Sequence, residues 1–126
     1  MNMRTPLSQV RGLGAAKDGV EHFWWQRVTA IANIPLTIAL VLIVIAIGGA
    51  DYATARAMVA SPMIAILVLL LVLSGTYHMR LGMQTIIEDY VHGEGAKIAA
   101  LIVNTFFSIA IAVACVFAVL KISFGG

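Results

Sequence analysis

The sequence predicts an all-α membrane protein with three transmembrane helices. Hydrophobic residues make up 61% of the 126-residue chain and charged residues only 11%, a composition unlike that of soluble domains. No Asp, Glu, Lys or Arg occurs in three stretches of 23 residues each, 28–50, 57–79 and 98–120. A helix of 23 residues is about 34 Å long, which is enough to cross a hydrocarbon core of roughly 30 Å.

Each apolar run predicts one span. The first, approximately 28–50, contains Pro35, which membrane helices tolerate. The second, 57–79, contains Pro62 directly after Ser61, a residue type that caps helices, and we expect it to extend to about residue 91. The third is 98–120. The connections are short, so little of the chain remains for a separate soluble domain.

The distribution of basic residues predicts the orientation of the spans. An odd number of spans places the termini on opposite sides, and Lys and Arg are enriched on the cytoplasmic side. Six basic residues share the side of the N-terminus and two lie on the other side: Arg4, Arg11, Lys17, Arg27, Arg80 and Lys97 against Arg56 and Lys121. We therefore expect a cytoplasmic N-terminus and an external C-terminus. The net charge of +2 reflects this topology and does not indicate a nucleic-acid partner.

The polar groups at membrane depth concentrate on one face of the second helix. At 3.6 residues per turn, one stripe contains Ser74, Gly75, His78, Gly82, Thr85 and Asp89. Gly75 lies three residues before His78 and Gly82 lies four residues after it. The helix therefore carries no side chain immediately around the imidazole, and a flat group could lie there.

Two explanations fit this stripe. In the first, glycine and serine allow close contact between helices, and His78 hydrogen-bonds to a neighbouring helix. In the second, the imidazole is a ligand of a heme iron and the bare face accepts the porphyrin. An ionisable residue inside a span indicates a functional site, but the spacing alone does not decide between the two. His22 and His92 lie outside the apolar runs, which predicts solvated or interfacial side chains and not iron ligands.

Two blocks of the sequence resemble one membrane family. His78, Gly82, Asp89 and Tyr90 form the pattern His, three residues, Gly, six residues, Asp-Tyr. This pattern resembles the smaller of the two hydrophobic membrane anchors of succinate dehydrogenase (respiratory complex II). The segment GVEHFWWQRVTAI, before and into the first span, is similar to the Gly-Val, Phe, Arg and Thr-Ala-Ile segment of that family. The resemblance implies that residues 1–126 form a single membrane-anchor domain.

The resemblance implies a shared heme. In the family, two anchor subunits hold a flavoprotein and an iron–sulfur protein on the cytoplasmic side, and each anchor supplies one histidine to a b-type heme between them. His78 matches the iron ligand of the smaller anchor, and Gly82 lies on the face that would accept the porphyrin. Arg27 matches the arginine that meets a heme propionate; the alternative is that it sets topology or binds lipid headgroups. FAD and the iron–sulfur clusters would belong only to partner subunits.

The resemblance also implies a ubiquinone site, at which it places Asp89 and Tyr90. A tyrosine hydroxyl can donate a hydrogen bond to a quinone carbonyl, and that bond strengthens as the oxygen gains charge on reduction. A nearby carboxylate can orient the donor or relay protons. If the helix continues, Asp89 lies about 16 Å along the axis from His78, toward the cytoplasmic face.

These expectations describe the anchor of a succinate:ubiquinone oxidoreductase in a bacterial cytoplasmic (inner) membrane. Such an anchor supports quinone reduction and heme binding but does not itself oxidise succinate. Its partners would be the second membrane anchor subunit, the iron–sulfur subunit, the flavoprotein subunit, the lipid bilayer and ubiquinone. Two alternatives remain open. One is a fumarate reductase anchor, which works in the opposite direction, and the other is a cofactor-free structural membrane subunit.

The six-to-two distribution of basic residues predicts the topology. A reporter fused after Gly126 is expected to be external, and one inserted near Gly93 is expected to be cytoplasmic. Paired alkaline phosphatase and fluorescent-protein fusions measure both locations. The reverse pattern would contradict the orientation and the side assigned to the quinone site.

Overall fold

The computed structural model describes residues 5–12 and 18–125, and this part of the chain is helical without strands. The helices are α1 (Pro6–Val10), α2 (Asp18–Ile47), α3 (Tyr52–Ala60), α4 (Pro62–Tyr90) and α5 (Glu94–Ser123). Three of them, α2, α4 and α5, are long and apolar enough to cross a membrane. The all-α class with three candidate spans is therefore confirmed. Arg4 and Lys17, which contribute to the predicted orientation, lie outside the described residues.

The second candidate span begins later than the apolar run 57–79. The helix is interrupted at Ser61, between α3 and α4. Pro62 disfavours helical backbone in the residue before it, whereas proline itself suits the first turn of a new helix. Ser61 accordingly has an extended conformation, with φ −63° and ψ 137°. It occupies the cap position of α4, but its hydroxyl donates to the Met58 carbonyl at 2.7 Å and does not cap the helix.

The short helix α3 has its own start signal. The Asp51 side chain accepts a hydrogen bond from the Thr54 amide at 3.3 Å, which satisfies a free N–H group in the first turn. Hydrogen bonds from the Thr54 side chain and then its amide hold the pKa of the Asp51 carboxyl below its ordinary value. The connection between the first two candidate spans is therefore helical and not an open loop.

The helices of the other two spans differ in their bounds from the apolar runs. The first begins at Asp18, well before residue 28, and ends at Ile47, where Gly48 and Gly49 follow. The third, Glu94–Ser123, extends past 98–120 at both ends. Backbone hydrogen bonding does not depend on apolar side chains, so a helix continues into the headgroup region. A helix of 30 residues is about 45 Å long, which exceeds the hydrocarbon thickness.

The central helix is α4. It packs against α2 and against α5, whereas α2 and α5 do not pack against each other within the described ranges. Thr29 in the first half of α2 meets His78 in the second half of α4, and Lys97 of α5 donates to the Glu88 carbonyl of α4 at 3.1 Å. The three helices thus alternate in direction. The start of α2, the end of α4 and the start of α5 lie at one end of the molecule.

The buried side chains are few and partly polar. In the described part of the chain, four are apolar and three are polar: Ala65, Leu81, Ile87 and Val119, and Thr29, Asn104 and Ser108. Lipid tails are as apolar as leucine, so helices associate in a membrane through close packing and interhelical hydrogen bonds. The polar residues at the helix contacts are therefore central to the fold.

A buried amide joins α4 to α5. Asn104 is 8% exposed, and its Nδ2 donates to the Arg80 carbonyl at 3.0 Å. Arg80 in turn donates from Nε to the Thr105 hydroxyl at 3.4 Å. Both bonds cross the contact between the two helices, so together they fix how α5 lies along α4.

We expect Asn104→Ala to reduce the free energy of unfolding by about 0.6–1.7 kcal/mol, because it removes a hydrogen bond between two membrane helices. Titration of the full chain with a denaturing detergent, followed by circular dichroism, measures the change. Gln84→Ala is the matched control, since the Gln84 amide donates to Glu88 within α4 at 2.8 Å. Equal losses in the two variants would contradict a specific role for the interhelical bond.

Candidate functional site

His78 faces α2 from the second half of α4. Its Nδ1 lies 3.0 Å from Oγ1 of Thr29, a residue that is 7% exposed. The same Oγ1 lies 2.7 Å from the carbonyl oxygen of Trp25 and 3.2 Å from that of Gln26. The imidazole therefore hydrogen-bonds to a neighbouring helix, as the packing explanation requires. This contact occupies only Nδ1 and leaves Nε2 for another ligand.

Two further contacts, both from residues that precede His78 in α4, hold the same two helices together. One turn earlier in α4, the Ser74 hydroxyl donates to the Thr29 carbonyl at 3.4 Å. The Tyr77 ring, next to His78 in the chain, meets the Trp25 ring edge to face, with centroids 6.0 Å apart and planes at 87°. Trp25 thus packs between α2 and α4. These contacts restrict movement of the backbone that carries the imidazole.

A cavity of about 310 Å³ lies beside the imidazole, lined by Phe23, Gln26, Arg27, Ala30 and His78. The Arg27 guanidinium lies over the Phe23 ring, 5.0 Å from its centroid, in a cation–π contact. The Arg27 side chain is exposed, so its charge remains available to a ligand at the cavity. The structure therefore brings together a histidine and an arginine that are 51 residues apart in the sequence (78 − 27).

The glycines around His78 face open space. A Cβ atom placed on Gly75 or Gly82 would meet no atom within 4 Å beyond the immediate backbone of its own helix. Close contact with another helix of this chain therefore does not explain why these positions lack side chains. The space beside them is accessible to a group from outside the chain.

The structure separates Asp89 and Tyr90 from the His78 cavity. Both lie in the last turn of α4, both are exposed, and neither lines the cavity. Tyr90 is 77% exposed. Because α4 is continuous from His78 to Asp89, Asp89 lies about 16 Å from His78 along the helix axis. The five predicted site residues therefore form two groups, one at the imidazole and one at the helix end.

The sequence reasoning missed the polar stripe on α2 that faces this site. His22, Gln26, Thr29 and Asn33 recur at spacings of four, three and four, which is the signal that could have found it. His22, predicted to be solvated or interfacial, is half-buried. Its Nε2 and the Asn33 Oδ1 are buried without a hydrogen-bond partner among the residues that the structure describes. Buried atoms of this kind normally bind water or another group.

The arrangement provides one ligand nitrogen and one cation. Over residues 5–12 and 18–125, no group of three or more His, Cys, Asp or Glu side chains is placed to hold a metal ion. A single imidazole could still hold a heme iron, because the porphyrin itself would supply most of the metal's ligands. An arginine at the edge of the same cavity can neutralise a carboxylate.

Three long apolar helices with a polar site between two of them define an integral membrane subunit. The family described as succinate dehydrogenase/fumarate reductase transmembrane subunit matches residues 1–119 of the chain. The chain belongs to this family, as a succinate dehydrogenase membrane anchor subunit. The resemblance predicted from the two sequence blocks is confirmed.

Two relatives extend the match over nearly the whole chain. The succinate dehydrogenase hydrophobic membrane anchor subunit of Paracoccus denitrificans is 31% identical over 125 residues, which cover 99% of this chain and 96% of the relative. The protein of the same name from Rickettsia bellii (strain RML369-C) is 30% identical over 118 residues, with 94% of each chain covered. No solved structure shows a significant match to the chain.

Proposed function

We propose that this chain helps to anchor a succinate:ubiquinone oxidoreductase and contributes one axial ligand, His78, to a b-type heme shared with a second anchor subunit. The observation that carries the proposal is that His78 and Arg27 line one cavity. An imidazole and a guanidinium are the groups that a heme with propionate side chains requires, the first for iron and the second for a carboxylate. Membership of the anchor family supports the same role.

The residues present fit one side of a heme. Nδ1 of His78 bonds to Thr29, so Nε2 is the nitrogen left for iron. Gly75 and Gly82 leave the α4 face open where a flat ring would lie. A single chain supplies one axial histidine, so the second ligand and the opposite wall of the pocket come from the partner anchor in this proposal. The bound group would supply a one-electron redox centre.

The roles of the chain's own residues follow from their positions. His78 would hold the iron through Nε2, and the bond to Thr29 keeps its ring in place. Arg27 compensates the negative charge of a propionate, an interaction that is stronger at the edge of the hydrocarbon than in water. Gly82 leaves the face one turn from the imidazole free of side chains.

We further propose that Asp89 and Tyr90 contribute to a ubiquinone site at the end of α4. Their exposure supports this role, because a quinone and the partner subunits can reach both side chains. The Tyr90 hydroxyl donates to a quinone carbonyl, and the Asp89 carboxylate orients the donor or relays protons. The distance of about 16 Å from His78 along the helix keeps the quinone group separate from the heme group.

In the proposed orientation this quinone end lies at the cytoplasmic face of the membrane. The halves of α2, α4 and α5 on this side of the molecule contain Arg27, Arg80 and Lys97, and cytoplasmic sides are enriched in such residues. The iron–sulfur and flavoprotein subunits, which hold the clusters and FAD, would dock at this end. Both relatives come from bacteria, which supports the cytoplasmic (inner) membrane as the location.

Two alternative functions have specific support. The family description also names fumarate reductase, so the same site could serve quinol oxidation, and the quinone used distinguishes the two directions. The hydrogen bond between His78 and Thr29 supports a cofactor-free structural subunit, because it satisfies one polar atom of the histidine without any ligand. A reduced-minus-oxidised spectrum of the purified complex separates a cytochrome from that structural subunit.

We expect His78→Ala to remove or strongly perturb the b-heme signal, because the proposed iron ligand is lost. The measurement is heme content per flavin and the reduced-minus-oxidised spectrum of the assembled complex. His92→Ala is the matched control, since His92 is exposed in the connection between α4 and α5. Normal heme content and an unchanged spectrum in His78→Ala would contradict the ligand role and favour the packing explanation.

We expect Tyr90→Phe to slow succinate-dependent quinone reduction by about 10- to 1,000-fold, by analogy with removal of one oxyanion donor. The aromatic ring remains, so heme binding and electron transfer to a water-soluble acceptor should persist. Tyr52→Phe is the control, because Tyr52 is 82% exposed at the other end of the molecule. If the assembled Tyr90→Phe complex reduces quinone at the wild-type rate and with the wild-type apparent affinity, the quinone site does not depend on the Tyr90 hydroxyl.

A further inference from the structure

Thr29 has one hydroxyl proton and three close polar neighbours. Its Oγ1 lies 2.7 Å from the Trp25 carbonyl oxygen, 3.2 Å from the Gln26 carbonyl oxygen and 3.0 Å from Nδ1 of His78. A carbonyl oxygen only accepts hydrogen bonds, and two oxygens 2.7 Å apart require a proton between them. The single Thr29 proton therefore lies in the bond to Trp25.

The bond between Thr29 and His78 must then be donated by the imidazole. With its proton committed to Trp25, Oγ1 offers only lone pairs to Nδ1. A neutral imidazole carries one N–H group, so that proton lies on Nδ1 and the lone pair lies on Nε2. We infer that Thr29 is a positioning residue that selects this tautomer of His78 and so presents a bare Nε2 to a metal. This inference rests on the proposed heme role of His78.

Contacts within this chain hold the acceptor in place. Thr29 is 7% exposed, and the Ser74 hydroxyl donates to its carbonyl at 3.4 Å. Its β-branched side chain has few rotamers in a helix, and the bond to the carbonyl four residues earlier selects one of them. The direction of the Oγ1 lone pairs is thus fixed by α2, and the Nδ1–H bond transmits that direction to the ring on α4.

The hydroxyl that accepts the Nδ1–H bond is uncharged, which is favourable at membrane depth. Metal-bound histidines usually donate their second N–H to a carboxylate, a backbone carbonyl or water, which fixes the ring and increases its basicity as a ligand. A carboxylate here would be costly, because charged groups are disfavoured within the hydrocarbon. A threonine hydroxyl whose own proton is hydrogen-bonded to a backbone carbonyl accepts the same bond and carries no net charge. Thr29 therefore both orients His78 and increases electron donation from Nε2.

The test compares Thr29→Val with Thr29→Ser in the assembled complex. Valine keeps the branched shape and removes the acceptor, so we expect heme affinity to fall about 10- to 100-fold and the heme midpoint potential to rise. Serine keeps the hydroxyl and should retain heme and potential near the wild-type values. Thr76→Val is the matched control: Thr76 is two residues from His78, its hydroxyl donates to the Val72 carbonyl at 2.6 Å, and it does not contact the imidazole.

A second measurement does not require a Thr29 variant to assemble. The full chain, labelled with ¹⁵N at histidine and reconstituted in lipid without heme, is studied by NMR at a pH where imidazole is neutral, with His78 assigned by its loss in His78→Gln. A protonated Nδ1 supports the inference, and a protonated Nε2 overturns it.

The outcomes also separate this inference from the proposed function. If Thr29→Val retains heme and potential while His78→Ala loses heme, the ligand role stands and the positioning role is overturned. If His78→Ala keeps its heme, the ligand role fails and the positioning role fails with it. If heme affinity falls in Thr29→Val but not in Thr29→Ser or Thr76→Val, the result supports both the ligand role of His78 and the positioning role of Thr29.

Discussion

The structure depends on the need to satisfy polar groups where no water is available. On two faces of α4, polar groups at nearly the same depth form hydrogen bonds with different neighbouring helices. On one side His78 bonds to Thr29 of α2, and on the other the Arg80 carbonyl accepts from Asn104 of α5. Apolar burial cannot hold these helices together in lipid, so such bonds and close packing determine which faces meet. The site at His78 is thus also part of the scaffold.

Much of the fold could be predicted from the sequence because the bilayer imposes a length. Three uncharged runs of 23 residues predicted three spans, and the helix through His78 continues to Tyr90. The start of the second span was harder to predict. No charged residue marks position 61 within the run 57–79, and the break arises from backbone restrictions next to Pro62. A property averaged over a window cannot locate an effect confined to one peptide unit.

The site was predictable only in part, for a related reason. The stripe of α4 was visible because its residues share one helix, and family resemblance added Arg27. Thr29 was missed although it follows Arg27 by two positions, because nothing in a single helix shows which side chain of another helix will meet it. Tertiary packing decides that pairing. The sequence showed that Gly75 and Gly82 leave one face of α4 bare, but only the structure shows that no neighbouring helix fills that space among the described residues.

The separation of α2 from α5 has a consequence for the supply of this protein in the cell. With α4 between them, α2 and α5 do not contact each other within the described residues, and of the described helices only α2 and α4 line the cavity beside His78. If the partner anchor covers that cavity, as proposed above, a copy made in excess would leave it exposed to lipid and be less stable than an assembled copy. Turnover of such surplus copies would match the amount of anchor to the amount of complex without a dedicated regulator.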